Sequence, residues 1–321
     1  MTFAELPSAP FSLVRIETGG GVRTGLVVGE RVRLLTPEQL GAVDLNAFLA
    51  SADWDRLRAV AESDGEWMPL AGVTLTAPVT PRQVLQTGAN YRTHVIDLVV
   101  SGLAPDDPRT PEEARAWAGQ MMDDRREHGE PYFFIGLPAC VVGAGEPLAL
   151  PAYSQKHDWE LELAVVIGAE AFRVSREDAL NHVAGYTIVN DITTRDLVFR
   201  KDMKEIGTDW YRAKNAPGFL PTGPFLVPAP FADPAALGIR LELNGETMQD
   251  ASTSDLLFDI PALVSGASQT MPLLPGDLLL TGSPAGNGAH WGRLLRAGDV
   301  MVGSIEGLGS QTVRCVEEVA G

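Results

Sequence analysis

A chain of 321 residues, 45% hydrophobic and 21% charged, has the make-up of folded globular material and room for one large domain plus a smaller one. Its 25 Lys and Arg stand against 42 Asp and Glu, a formal net charge of −17, which argues against nucleic acid or any other phosphate-backbone partner and reads as a solvated acidic surface. No run of 18 apolar residues and no basic-then-apolar leader occurs, so neither a membrane span nor a signal peptide is expected and a cytoplasmic location follows; Cys140 and Cys315, far apart and outside any CxxC, read as reduced thiols.

In chain order, residues 11–35 read as a small antiparallel meander: FSLVRIE, TGLVV and RVRLL, split by the glycines at 19–21 and a Gly29-Glu30 turn. From Asp44 to Ser63 the apolar positions Leu45, Phe48, Leu49, Leu57 and Val60 follow helical spacing, with a break expected near Ser51 to Asp53. Ala77-Pro78-Val79-Thr80-Pro81 then sets the expected boundary between a small N-terminal α+β domain, residues 1–77, and a larger domain, residues 78–321. Beyond it the pattern is of short strands divided by Gly and Pro, with one exception. Thr110-Pro111-Glu112-Glu113 is a helix start, with Thr as N-cap, Pro at the first helical position and Glu at the capping-box site; Gly129 would stop the helix. The polar, Pro-rich GLAPDDPR precedes it, so residues from about 101 to 132 read as a flap carrying one helix, with a fixed surface insertion as the alternative.

HDWELELAVVIG, residues 157–168, follows. In an extended strand Glu160, Glu162, Ala164 and Val166 share one face, and Trp159, Leu161, Leu163, Val165 and Ile167 the other. The run is apolar on both faces beyond the acids, as in a strand covered on both sides, so two neighbouring carboxylates are buried together and call for a positive charge between them. In GYTIVNDITTRD, residues 185–196, a strand runs into Asn190-Asp191 and a polar turn with Arg195 and Asp196. Glu160, Glu162 and Asp191 together offer three oxygen ligands, a set for Mg²⁺ or Mn²⁺ with Ca²⁺ as an alternative, whereas zinc would call for His or Cys.

Five segments, HDWELELAVVIG, GYTIVNDITTRD, RAKNAPGFLPTGPFLVP, LELNGETMQDASTSDLLFDIPALV and PGDLLLTGSPAGNG, resemble in that order the fumarylacetoacetate hydrolase family. The likeness covers roughly residues 80 to 320. It implies a mixed, β-rich α+β fold with a C-terminal β-roll, usually in homodimers, and a site that binds Mg²⁺ or Mn²⁺ through carboxylates and holds a 2-oxo acid. Carried over residue by residue, the family's metal ligands fall on Glu160, Glu162 and Asp191 and its active-site lysine on Lys214. Thr281 and Gly282 match the segment lining the substrate carboxylate. Arg195 matches an arginine near the metal, with a structural ion pair to Asp196 or another acid as the alternative. The family's NYxxHxxE segment becomes Asn90-Tyr91-Arg92-Thr93-His94-Val95-Ile96-Asp97, placing Tyr91 beside the substrate and His94 as general base. Asp97, one helical turn on and one methylene shorter than the usual glutamate, would orient it. A second departure is Phe134-Ile135-Gly136-Leu137-Pro138, where many relatives have a lysine near Gly136. His128 and His157 read as structural. Trp210 and Tyr211, just before Lys214, either shape an apolar pocket or pack the core.

Three functions compete. The first is a hydrolase cleaving a C–C bond of a 2,4-dioxo acid or acylpyruvate, with His94 activating water and Lys214 steadying the departing enolate. The second keeps metal and enolate without an attacking water: a decarboxylase, isomerase or dehydratase of a 2-oxo acid. The third is a non-catalytic protein binding an organic acid. All three take a small-molecule carboxylate, and none a membrane or nucleic acid.

Overall fold

The computed structural model describes residues 3–104 and 106–319; Pro105 of the expected flap and the first and last two residues of the chain lie outside the described part. The expected meander forms from Ser12–Thr18, Gly21–Val28 and Arg31–Leu34, paired antiparallel. Met68–Pro69 and Leu75–Thr76 complete a five-stranded sheet. Helices Leu45–Leu49 and Trp54–Glu62 fall on either side of the expected break, each opened by an aspartate, Asp44 or Asp53, that accepts from the amide three residues on.

From Val84 onward the chain winds an eight-stranded mixed sheet. Its path runs Tyr132–Gly136, Val84–Gly88, Leu278–Leu280, Leu161–Ile167, Val183–Asn190, Leu220–Thr222, Val141–Gly143, and Val227–Pro228 pairs alongside Val183–Asn190. Leu161–Ile167 and Val183–Asn190 are buried at every position, and the period-two alternation explains how. Trp159, Leu161, Leu163, Val165 and Ile167 join one apolar cluster with Leu241, Met301 and Val313. Ala164 and Val166, on Glu162's face, join another with Phe11, Leu13, Leu26, Phe48 and Leu49 of the N-terminal segment. The N-terminal sheet and helices therefore cover one side of the central strands. A five-stranded sheet, Glu246–Ser252, Gly238–Leu243, Val300–Ile305, Gly309–Glu317 and Leu148–Leu150, covers the other. The whole is a sheet-rich mixed α+β fold with a curled half-barrel.

Pro111–His128 is opened by the Thr110 capping box and closed at Gly129. It is packed against helix Arg92–Ser101 rather than splayed: Ala114, Ala118, Gly119 and Met122 are buried, and Arg92–Asp123 and Arg115–Asp97 ion pairs bridge the two helices. Among the described residues no helix is long and apolar enough to cross a membrane. Cys140 and Cys315 are free and buried, and burial pushes their thiols up to about 11 and about 12.

Candidate active site

Leu161 faces Asn190 across the central strand pair, and the chain is clamped again just beyond it. The Asp191 amide donates to the Glu160 carbonyl at 2.8 Å, and the Glu160 amide donates to Asn190 Oδ1 at 2.9 Å. This backbone brings Glu160, Glu162 and Asp191 together, one oxygen from each lying within 4.8 Å of the others. Gly282 closes the site from the neighbouring strand end, its amide donating to Glu162 Oε2 at 2.7 Å. It sits at φ +94°, where a Cβ would also press to 3.2 Å from the Thr87 carbonyl, so this close approach needs glycine. Thr281 anchors the same turn, its hydroxyl donating to the Leu163 carbonyl at 2.9 Å.

Lys214 ends the short helix Trp210–Lys214 and is 2% exposed. Its Nζ donates to Glu160 Oε2 at 2.5 Å and to Asp191 Oδ2. Arg195 spans Asp158 Oδ2 at 2.6 Å and Glu160 Oε1 at 2.7 Å. It is thus a structural ion pair, but with Asp158 and Glu160; Asp196 instead accepts from Ser154 Oγ at 2.6 Å. Asp158, fully buried, also accepts the amides of Trp159, Gly288 and Ala289.

Four carboxylates, Asp158, Glu160, Glu162 and Asp191, thus face two cations, and the imbalance shows in their acidities. Burial opposes ionisation of Glu160, yet Arg195 and Lys214 hold it down at about 2. Glu162 accepts from a backbone amide, and burial, reinforced by Asp191, raises it well above the ordinary carboxylate value. Burial raises Asp191 to about 6 in spite of Lys214. Burial works against the charge on Lys214, but Asp191, Glu160 and Glu162 together raise its pKa above the ordinary value. Beside this excess negative charge, Tyr91 Oη and Gln86 Oε1 are buried with no hydrogen-bond partner among the described residues. Three close carboxylates short of positive charge, with orphaned oxygens beside them, fit a hard divalent cation such as Mg²⁺ or Mn²⁺.

His94 lies half-buried on Arg92–Ser101, and burial lowers its pKa, Glu160 acting in the opposite sense. Asp97 is engaged elsewhere: its Oδ1 accepts Arg115 Nη1 at 2.7 Å and Nη2 at 2.6 Å. Tyr91 is fully buried, its hydroxyl pushed up by burial, then by the charges of Glu162 and Asp255. His157 is buried, with its ring nitrogens 3.0 Å from Thr194 Oγ1 and 2.9 Å from the Pro151 carbonyl, while His128 stands exposed at a helix end. Sequence reasoning missed Gln86, whose Nε2 donates to Asp191 Oδ1 at 2.5 Å, and Asp158. Gly136, where the expected lysine is lacking, leaves room for Gln86: a Cβ there would lie 3.1 Å from the amide. That missing lysine was the one signal that could have pointed to Gln86.

A family profile described as the fumarylacetoacetate (FAA) hydrolase C-terminal domain matches residues 83–316. Oxaloacetate tautomerase fahd2, mitochondrial, of Xenopus laevis is 33% identical over 257 residues, 79% of this chain and 72% of that protein. The 2,4-didehydro-3-deoxy-L-rhamnonate hydrolase of a Sphingomonas strain is 40% identical over 186 residues, 57% of this chain and 64% of that one. Among solved structures, the 2-hydroxyhepta-2,4-diene-1,7-dioate isomerase from Mycobacterium marinum superposes with a TM-score of 0.70 at 30% identity, covering 97% of this chain and 100% of that one.

Proposed function

The chain belongs to the fumarylacetoacetate hydrolase family, and on that premise we propose that it is a divalent-metal-dependent enol–keto isomerase of a 2-oxo acid. One observation carries the choice over hydrolysis. The carboxylates and Lys214 are assembled, while Asp97, the carboxylate that would orient a water-activating His94, is held by both terminal nitrogens of Arg115.

Glu160, Glu162 and Asp191 would hold Mg²⁺ or Mn²⁺, which would supply Lewis acidity and charge stabilisation for a 2-oxo acid. The remaining work falls to the chain's own groups. Lys214, kept charged by its acidic neighbours, is a fixed donor for oxygen on which negative charge grows. His94, kept neutral by burial, can take a proton from the substrate carbon next to the carbonyl and deliver it to the enol oxygen. Isomerisation consumes no water and leaves the imidazole as it began, so one neutral histidine suffices. Tyr91 Oη, buried and without a hydrogen-bond partner among the described residues, is the donor for the substrate carboxylate. Thr281 and Gly282, whose donors serve Leu163 and Glu162, act by holding Glu162. Arg195, anchored on Asp158, holds Glu160.

C–C hydrolysis of a 2,4-dioxo acid is the second function supported, because the most nearly identical of the relatives above is named a hydrolase. Incubating purified protein plus Mg²⁺ with 2-oxo and 2,4-dioxo acids, following the ultraviolet band of the enol and weighing products by mass spectrometry, separates the two. Change of the band at constant mass is the result expected. Pyruvate plus a second acid would indicate hydrolysis instead, carbon dioxide decarboxylation, and loss of water dehydration. The homodimer implied by the family belongs to the same proposal and is tested by sedimentation.

A further inference from the structure

Beside the acidic centre stands an aromatic wall. Strand Tyr132–Gly136 pairs with Val84–Gly88 so that Tyr132 faces Gly88, Phe134 faces Gln86 and Gly136 faces Val84. Directly paired residues share a face of the sheet, and Gln86 uses that face to reach Asp191. Tyr132 and Phe134 therefore stand on the side of the sheet that carries the site. Gly88 makes this arrangement fit: a Cβ there would come within 2.8 Å of the Tyr132 ring. Trp210 stacks on Phe134, centroids 4.7 Å apart and planes 19° from parallel, and its Nε1 donates to Tyr132 Oη at 2.9 Å. The wall grades inward from Tyr132, 46% exposed, through the half-buried Trp210 and Phe134 to buried Lys214, whose Nζ is 5.7 Å from the Phe134 centroid.

The wall is rich in ring surface, and among the described residues most cations around it are already paired, Arg212 on the helix of Trp210 being exposed and outside any ion pair. Lys214 and Arg195 are committed to the site's own acids. Arg200 is committed to Asp202 and Asp209, and Arg125 to the Ala89 carbonyl and the face of Phe258. Gly136 brings no charge. A second carboxylate on the substrate would meet ring faces here rather than a cation, whereas a flat apolar group would stack on them.

We propose that the end of the substrate remote from its 2-oxo acid lies along Phe134, Trp210 and Tyr132, and that the substrate is a 2-oxo monocarboxylate with an aryl or conjugated unsaturated tail rather than a dicarboxylate. The proposal rests on the 2-oxo acid reading of the acidic centre and adds what that centre selects. Stable 2-oxo acid mimics test it without turnover: oxamate as the bare head, N-phenyloxamate with an aryl tail and N-oxalylglycine with a carboxylate tail, each titrated calorimetrically into Mn²⁺-loaded protein. N-phenyloxamate is expected to bind about tenfold tighter than oxamate, the scale of a well-stacked ring, and N-oxalylglycine no tighter than oxamate. Trp210→Ala and Phe134→Leu should each erase most of the phenyl gain, and Trp210→Phe should keep it; Phe134→Leu decides should Trp210→Ala fail to fold. Tighter binding of N-oxalylglycine than of N-phenyloxamate, or a phenyl gain untouched by the folded variants, would overturn the tail assignment while leaving the head reading intact. Absence of oxamate binding would overturn both.

Discussion

Gln86 Nε2 donates to Asp191 Oδ1 at 2.5 Å, joining two residues 105 positions apart in the chain. Gln86 is 1% exposed, so the bond is shielded from water and fixes which way the Asp191 carboxylate points. Groups that orient a metal ligand in this way are worth roughly 10- to 100-fold in metal affinity. Gln86→Leu should therefore weaken Mn²⁺ binding by about that factor while barely moving the unfolding temperature. An unchanged dissociation constant in titration calorimetry would make the amide a packing group only.

Lys214 bonds the same carboxylates, Glu160 and Asp191, that a divalent cation would use. In the absence of metal it is the charge that lets those acids be buried together, and removing one partner of a buried ionic group typically costs about 3–5 kcal/mol. Lys214→Met should lower the unfolding temperature of stripped protein and enlarge the rise produced by adding Mn²⁺, since a competitor is gone while the need for positive charge remains. A smaller metal-induced rise than in the wild type, read by calorimetric melting, would show that lysine and metal do not share these oxygens.

Asp97 and Arg115 tie helix Arg92–Ser101 to helix Pro111–His128. The pair is partly exposed, where such bridges contribute about 0.2–1 kcal/mol, so breaking it should loosen the second helix without unfolding the protein. Asp97→Asn and Arg115→Ala are expected to speed amide exchange over residues 111–128 to a similar small extent and to shift turnover in parallel. If Asp97→Asn alone cost 10²-fold or more, the scale for general-base catalysis, Asp97 would be serving His94 rather than the tether.

Asp191 titrates near 6 in the folded protein against an ordinary value of 3.8, because burial disfavours its charge. With the folded value raised, its contribution to stability is fully present below 3.8 and is lost as pH rises through about 6. Metal-free protein should therefore lose stability over this window relative to Asp191→Asn, and the two pH profiles of unfolding should converge below it. Cation binding needs the ionised carboxylate, so Mn²⁺ affinity should rise across the same window. Parallel stability profiles for wild type and variant would show that Asp191 is not the proton acceptor.

The acidic half of the candidate site was legible because it is written in local pattern. Glu160 and Glu162 stand out as acids on a strand apolar on both faces, and the capping box at Thr110 announced its helix in four residues. What could not be read depends on partners distant in sequence. Gln86 meets Asp191 only because the sheet order sets Val84–Gly88 two strands from Leu161–Ile167. Asp97 seemed one turn from a partner on its own helix, but Arg115 offers a charged fork from the next helix, a stronger donor to its carboxylate than a neutral imidazole. Arg195 chose Asp158 and Glu160 over its neighbour Asp196 for a similar reason: buried carboxylates gain more from a cation than an acid already accepting from Ser154.

The proposed activity turns on whether the buried carboxylates hold a divalent cation, and Glu162 is the one among the three that pairs directly with neither Lys214 nor Arg195. Mn²⁺ titrated into stripped wild-type protein and into Glu162→Gln, with the bound fraction read by electron paramagnetic resonance and the fold checked by circular dichroism, measures this directly. One tightly bound equivalent in the wild type and loss of that equivalent in the folded variant is the expected result. Equal stoichiometry and affinity in the two proteins would contradict the metal centre, and the isomerase built on it would fall with it.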